Sequence, residues 1–240
     1  LKEFHMNKKD WMFGYLSYDL KNEKTNLYSK NINNIYHSNL SFFVPKYLLV
    51  LRGNNLTIES YESKENIAEF YNKIKKNKSF KKENIKYNLI QRESKEIYLQ
   101  KINMIKKHIQ NGDIYEMNYC QEFFVENTNC NPQDIYYRLN LLAQSPFSCF
   151  LNLRNLNIMC ASPERFLKKK GANILSQPIK GTSKRSDDSN EDKYLFEKLS
   201  NSIKDKTENI MIVDLVRNDL SITAEKSSVK VDDLCSVYPF

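Results

Sequence analysis

The segment QPIKGTSKR, residues 177–185, sets one lysine in a backbone context that is rare in this chain. The whole sequence contains only 5 glycines and 6 prolines, yet a proline precedes Lys180 and Gly181 follows it directly. Glycine permits a positive φ or the close approach of a ligand. Thr182 adds a hydroxyl donor, and two basic residues follow within the segment. These residue types are typical of a loop that faces an anion.

Lys180 can act as a nucleophile only if its amine is uncharged. A lysine with an ordinary pKa of about 10.4 is uncharged in only about one molecule in 2,500 at pH 7. Burial and adjacent cations lower the pKa of such a group toward the range that catalysis needs. The residues alone therefore leave two interpretations open for Lys180, a nucleophile in a closed pocket or a solvated lysine after a strand.

Three carboxylates stand in settings that suit proton transfer or metal binding. Glu164, in ASPERFL, follows a proline at the entrance of a strand. In a closed pocket it would be able to protonate a leaving group, and otherwise it is a surface charge. Asp205 and Glu208 are spaced i, i+3, so a helix turns both to one side. That pair suits Mg²⁺, which binds one or two protein carboxylates, or it is a solvated helix start.

The composition excludes several classes of protein. The net charge is 37 basic minus 29 acidic residues, or +8, and 40% of the residues are hydrophobic. No apolar run approaches the length of a membrane span, and no aromatic and arginine-rich pattern indicates RNA binding. The five cysteines contain no CxxC pair. We therefore expect a cytoplasmic protein that binds neither nucleic acid nor a membrane and has no disulfide framework.

Strand and helix signals in the first part of the chain are short. They predict a strand over 11–20, a hairpin of 42–51 with 55–61, a surface helix over 65–78 and a solvated connector over 79–87. We place a domain boundary near residue 90. This boundary separates residues 1–90 from residues 91–240.

The signals that position the candidate residues lie after this boundary. Tyr98, Ile102, Ile105 and Ile109 recur at intervals of 4, 3 and 4, which predicts a helix from Ser94 to Asn111-Gly112. The predictions that follow are a strand over 113–125, a helix from Pro132 to about Leu142, a hairpin of 147–153 with 157–162, and two strands that turn at Gly171.

Two helices and a late strand complete the prediction. Ser189 and Asp192 resemble a capping box that opens a helix with Leu195, Leu199 and Ile203 inward. A more buried helix over 208–220 and a strand over 227–234 follow. Many strands with helices inserted between them favour the α+β class, with largely antiparallel sheets packed against helices.

Four stretches in this order resemble the chorismate-utilising enzyme family. They are NGDIYEMNYCQEF (111–123), ASPERFL (161–167), QPIKGTSKR (177–185) and ENIMIVDLVRNDL (208–220). The family includes component I of anthranilate synthase, component I of aminodeoxychorismate synthase and the isochorismate synthases. The resemblance implies the chorismate-binding fold of anthranilate synthase component I. It also implies that residues 1–90 are a partial N-terminal region of the family and that residues 91–240 are the first part of the catalytic domain. A glutamate, Glu122, stands where an arginine is common in the first stretch.

The resemblance also implies a role for each candidate residue. Lys180 matches the lysine of aminodeoxychorismate synthases, whereas anthranilate synthases typically carry alanine there. That lysine is thought to attack the chorismate ring before ammonia adds at C4. Glu164 matches the proposed general acid, and Gly181 and Thr182 match substrate-contacting positions. Glu208 matches a Mg²⁺ ligand, with Asp205 as its acidic neighbour.

The family pattern further implies a separate partner and a longer chain. Ammonia comes from a glutamine amidotransferase subunit, whose Gly-x-Cys-x-Gly nucleophile this sequence lacks. Motifs that the family carries after VYPF are absent, so we expect a truncated fragment that does not turn over chorismate alone. Three alternatives stay open: anthranilate synthase component I, a non-catalytic remnant that binds chorismate or tryptophan, and, least supported, a basic nucleic-acid module.

Overall fold

The structure, a computed structural model, describes residues 1–76 and 87–239. The chain divides into two compact units, which we call unit 1 (Leu1–Lys76 with Tyr136–Phe240) and unit 2 (Asn77–Ile135). Helices and antiparallel strands are mixed through the described ranges, which confirms the predicted α+β class. The domain boundary near residue 90 stays a prediction.

Seven α-helices lie within the described residues, together with a 3₁₀ turn over Tyr18–Lys21. The helices are α1 (Lys2–Lys8), α2 (Asn22–Thr25), α3 (Lys64–Lys76), α4 (Lys95–Asn111), α5 (Pro132–Ala143), α6 (Ser189–Ser200) and α7 (Ile203–Ser221). The helix predicted over 65–78 therefore exists as α3, although residues 77 and 78 lie outside the described part. The predicted connector over 79–87 also lies outside the described residues, apart from Tyr87.

All strand pairs that the structure describes are two-stranded and antiparallel. They are β1 (Phe13–Leu16) with β2 (Leu40–Phe43), β3 (Leu48–Arg52) with β4 (Asn55–Glu59), β5 (Ile90–Gln91) with β6 (Phe123–Phe124), β7 (Phe147–Leu153) with β8 (Leu156–Ser162), and β9 (Arg165–Lys170) with β10 (Asn173–Gln177). The three predicted hairpins are confirmed as β3–β4, β7–β8 and β9–β10. The predicted strand over 11–20 is shorter, and the one over 42–51 is split between β2 and β3.

Helix α4 has the caps and the covered face that its sequence predicts. The Ser94 side chain accepts a hydrogen bond from the Ile97 backbone N–H, and Gly112 ends the helix at φ +79°. The Gly112 backbone N–H donates to the His108 and Ile109 carbonyls. The predicted inward residues up to Ile105 are half-buried, whereas Ile109 remains 41% exposed. Local chemistry at both ends therefore sets where this helix begins and ends.

The strand predicted over 113–125 in unit 2 is wrong except at its end. Only β6 pairs with another strand there, and side-chain contacts hold the residues before it. The Tyr119 hydroxyl donates to the Glu93 carboxylate, and the Gln121 amide donates to the Glu93 carbonyl. An alternating pattern forms a strand only where a partner backbone is available, and here the partner β5 has two residues.

The unusual Glu122 has a partner of its own in unit 2. The Arg92 guanidinium donates to both Glu122 carboxylate oxygens, at 2.8 and 3.2 Å, and the Arg92 backbone N–H donates to the Glu122 carbonyl. The Arg92 side chain also lies 4.1 Å above the Phe124 ring. A glutamate at this position therefore joins β6 to the chain beside β5.

Three further predictions are corrected near the candidate site. Helix α6 is capped by the Asp188 side chain, which accepts from two backbone N–H groups, and not by Ser189, its first residue. Ile203 begins α7 instead of facing inward from α6 and is 82% exposed. Residues 227–234 form no strand, because Ser227 has φ +65° and no strand lies beside this segment within the described ranges.

Apolar side chains are only partly covered throughout the described residues. None of the hydrophobic side chains there is fully buried, and α7, expected to be the more buried helix, contains no buried residue. None of the helices in the described ranges combines the length and apolar composition that a membrane crossing requires. Elements are therefore held mainly by hairpin pairing, caps and side-chain hydrogen bonds.

We predict that Ser94→Ala weakens α4 by about 1 kcal/mol, because an N-terminal backbone N–H loses its acceptor. Circular dichroism of a peptide spanning residues 90–113 measures the loss of helix. Ser94→Asp keeps an oxygen acceptor and is the matched control. Equal helix content in the serine and alanine peptides would contradict the assigned cap.

Candidate functional site

The hairpin β9–β10 brings the two ends of its sequence together. Arg165, the first residue of β9, is paired in register with Gln177, the last residue of β10. The Arg165 Nε donates to the Gln177 Oε1 at 2.8 Å, and its guanidinium lies 4.6 Å above the Phe147 ring. Glu164 directly precedes this pair and Lys180 follows it by three residues. Glu164 and Lys180 therefore lie on the two chain segments that flank the same end of the hairpin.

Gly181 joins the loop after β10 to the first turns of α7. Its φ is +75°, a conformation that side chains disfavour. A Cβ at this position would lie 2.8 Å from the Asp205 Cβ and 2.9 Å from its Oδ1. Such distances are too short for any residue but glycine. The structure thus brings together two predicted site residues, Gly181 and Asp205, from separate parts of the sequence.

Helix α7 presents the predicted pair of carboxylates near its N-terminus. The Ser202 side chain caps the helix by accepting from the Asp205 backbone N–H at 3.3 Å. Asp205 and Glu208 lie three residues apart, so both project from one side, and both are half-buried. The Glu208 carboxylate lies 3.7 Å from the Lys204 ammonium. The positive end of the helix dipole favours negative charge at this site.

A pair of ionic contacts, which we call the clamp, ties the far end of the loop to α6. The Arg185 guanidinium donates to both Asp192 carboxylate oxygens at 2.7 Å. The Lys184 ammonium lies 3.2 Å from Glu191, which also accepts from the Ser186 hydroxyl. The two basic residues predicted to face an anion are therefore neutralised by α6 instead.

The clamp lowers the pKa values of both acids. Hydrogen bonds from the Arg185 side chain and the Ser186 backbone N–H lower the pKa of Asp192 from 3.8 to about 2. The Ser186 hydroxyl, followed by Lys184, lowers the pKa of Glu191. For Asp192, the stabilisation from this contact is fully present above the ordinary pKa of 3.8 and is lost as the pH falls through about 2. Both carboxylates of the clamp are therefore ionised at neutral pH.

The other predicted site residues are less enclosed. Lys180 is half-buried, whereas Thr182 and Glu164 are exposed. Within the described ranges no group of three or more His, Cys, Asp or Glu side chains is arranged to hold a metal ion. Two surface hollows lie elsewhere, one lined by His5, Trp11 and neighbouring residues and one by residues of β4 and α3. Neither contains a predicted site residue.

Sequence analysis missed the function of Asp192 in the clamp. It was assigned to a capping box, whereas Asp188 caps α6 and Asp192 holds Arg185. The signal was present in the order of charges, because two basic residues are followed seven positions later by two acids. Lys184 and Arg185 precede α6, so the pairing depends on the turn between the loop and α6 and not on a shared helix face.

We predict that Asp192→Asn exposes the loop to trypsin. Arg185 must leave its carboxylate partner to enter the protease, so cleavage after Arg185 should become at least about threefold faster. Peptide mapping over a time course measures the rate. Glu197→Gln removes a charge from the same helix outside the clamp and should leave the rate unchanged. Identical cleavage of the Asp192→Asn and parent chains would contradict the clamp.

Comparison with known proteins identifies the family. The family model of chorismate binding enzymes matches residues 2–240. Aminodeoxychorismate synthase component 1 of Salmonella typhimurium is 41% identical over 143 residues, or 60% of this chain and 31% of the relative. The Escherichia coli protein of that name is 40% identical over 147 residues, which are 61% of this chain and 32% of the relative. Anthranilate synthase component 1 of Saccharomyces cerevisiae is 34% identical over 61% of this chain and 29% of the relative.

A solved structure shares the fold. Anthranilate synthase component I of Streptococcus pneumoniae superposes with a TM-score of 0.77 over 95% of this chain and 54% of that chain, at 23% identity. The predicted fold is thereby confirmed. The chain spans about a third of the length of the curated relatives it matches. On the match of the family model to nearly every residue, the chain belongs to the family of chorismate binding enzymes.

Proposed function

We propose that the chain carries part of an aminodeoxychorismate synthase of the component I type, which aminates chorismate at C4 to 4-amino-4-deoxychorismate. Support comes from relatives of that name at about 40% identity and from Lys180. The resemblance associates a lysine at this position with amination at C4 and an alanine with anthranilate formation. The product would feed para-aminobenzoate and folate synthesis in the cytoplasm.

The observation that carries this proposal is the packing of Gly181 against Asp205. Because of this contact, the residue after Lys180 lies against the first turns of the helix that carries Glu208. A nucleophile and a pair of carboxylates then belong to one neighbourhood, although they are distant in sequence. Glu164 lies next to the end of the β9–β10 hairpin from which the Lys180 loop begins.

Lys180 and Glu164 would share the chemistry of displacing the 4-hydroxyl group. The uncharged Lys180 amine attacks the chorismate ring while Glu164 protonates the departing hydroxyl, which leaves as water. Ammonia then forms the bond at C4, and the lysine is released. A covalent intermediate divides one difficult displacement into two easier ones. The Gly181 backbone and the Thr182 hydroxyl would contact the substrate beside the nucleophile.

Asp205 and Glu208 fit a magnesium ion in number and chemistry. Mg²⁺ usually takes one or two protein carboxylates and completes its octahedral shell with water and ligand oxygens, so two half-buried carboxylates are sufficient. When bound, the ion would neutralise part of the charge of a substrate carboxylate. The residues of this chain would hold it at the positive end of α7.

Ammonia would come from a separate glutamine amidotransferase subunit. The name component 1, which the bacterial relatives carry, implies a second component for those proteins. This chain lacks the Gly-x-Cys-x-Gly nucleophile of such a subunit. We further propose that the 240-residue chain does not turn over chorismate alone, since Glu164 and Thr182 are exposed and not enclosed around a substrate.

Anthranilate synthase activity is the second candidate. Anthranilate synthase component 1 of yeast matches about the same share of this chain at 34% identity. A non-catalytic binding remnant is a third candidate, because the described site residues are partly exposed. The identity of the product distinguishes the first two, and chorismate binding without turnover identifies the third.

We predict that a chimera makes 4-amino-4-deoxychorismate from chorismate, ammonia and Mg²⁺. In this chimera the 147 matched residues of the Escherichia coli relative are replaced by those of this chain. Lys180→Ala should lower the rate at least about a hundredfold, because the nucleophile is lost. Chromatography of the products measures both, and Lys169→Ala, on the exposed strand β9, is the matched control.

Anthranilate and pyruvate as products of the chimera would overturn the assignment within the family. Full activity of the Lys180→Ala chimera would overturn the role of the lysine while leaving the family intact. Mass spectrometry of the chimera given chorismate without ammonia provides an independent reading, since an adduct should appear on the peptide that carries Lys180. Turnover by the 240-residue chain alone would contradict its proposed inactivity.

A further inference from the structure

Two cysteines lie directly opposite each other in the β7–β8 hairpin. Cys149 and Cys160 are paired in register, between the pairs Ser148–Ala161 and Phe150–Met159. Both thiols are free. Directly opposed residues of an antiparallel pair have α-carbons about 4.5–5.5 Å apart and side chains on one face. A disulfide accepts α-carbon separations of about 4.4–6.8 Å, so the hairpin already provides the spacing.

The surroundings of the pair leave one thiol open to a reagent. Cys149 is exposed and Cys160 is half-buried. Although the residue as a whole is exposed, partial desolvation of the Cys149 thiol raises its pKa, and the neighbouring Cys160 raises it further. This effect of Cys160 agrees with the register of the hairpin, which places the two residues directly opposite each other. A raised pKa also makes the thiol react slowly, so the pair is best tested at equilibrium.

We propose that Cys149 and Cys160 form a dithiol site that closes to a cross-strand disulfide on reaction with a small disulfide oxidant such as oxidised glutathione. The Cys149 thiolate attacks one oxidant sulfur, and the S–S electron pair leaves with the first glutathione thiolate. The Cys160 thiolate then attacks the Cys149 sulfur of the mixed disulfide and releases the second. Two protein thiols lose their protons and two electrons, and one oxidised glutathione becomes two reduced molecules.

The other cysteines do not have this arrangement in the described residues. None of them is paired with a cysteine across a strand. Cys235, on the loop after α7, has its sulfur 3.5 Å from the Asn209 side-chain oxygen and 3.8 Å from the Lys206 carbonyl. The proposed reaction is therefore selective for one pair of five thiols. It is also independent of chorismate chemistry, so it does not rest on the proposed function.

The test is an equilibrium titration of the purified chain with reduced and oxidised glutathione, followed by acid quenching, alkylation and tryptic mapping. Arg154 lies between the two cysteines, so trypsin releases them on separate peptides that remain joined only by a disulfide. We expect the joined peptides to accumulate and to separate on reduction. In Cys160→Ser, Cys149 should instead carry a glutathione, and Cys235→Ser is the matched control that should retain the joined peptides.

A second measurement separates hairpin geometry from mere closeness in sequence. The triple variant Cys120→Ser, Cys130→Ser, Cys235→Ser keeps only the proposed pair. Its equilibrium constant for disulfide formation should be at least about tenfold higher in native buffer than in concentrated urea, because the hairpin raises the effective concentration of one thiol at the other. Equal constants, or joined peptides distributed among all five cysteines in the parent chain, would overturn the proposal.

Discussion

The candidate site depends on the close packing of Gly181 against Asp205. An α-carbon without a side chain allows the loop after β10 to rest on the first turn of α7, and a Cβ would come within 2.8 Å of its neighbour. The backbone conformation at φ +75° gives a second, independent reason for glycine. Both reasons act on the residue that follows Lys180. A steric constraint thus limits the direction of the backbone directly after Lys180.

Two polar contacts hold the same loop at its ends. Arg165 binds Gln177 where the loop leaves β10, and Arg185 binds Asp192 where it enters α6. Exposed ion pairs contribute little to overall stability, because water competes for both charges. A bidentate contact nevertheless fixes orientation. We interpret these contacts as determinants of loop conformation, since the fold in the described residues is held mainly by hairpins and caps.

Sequence reasoning succeeded where the signal was local and failed where a partner was needed. The 4, 3, 4 spacing and the two caps of α4 predicted its bounds because those interactions lie within the helix. The strand over 113–125 was wrong because alternation does not supply a neighbouring backbone. The contact between Gly181 and Asp205 had no local signal, although each residue was selected on its own. The roles assigned to the six site residues stay predictions: Lys180, Glu164, Gly181, Thr182, Asp205 and Glu208.

The contact of Gly181 with Asp205 can be measured without any assay of activity. The protein is labelled at glycine and aspartate for this measurement. We expect a nuclear Overhauser effect between the Gly181 α-protons and the Asp205 β-protons. Such a signal is limited to proton separations of about 5 Å, so it reports side-chain contact. Sequential assignment of Gly181 through its neighbours Lys180 and Thr182 in the unsubstituted chain makes the result unambiguous. Absence of that effect, with the other effects within α7 present, would contradict the assembly of this site.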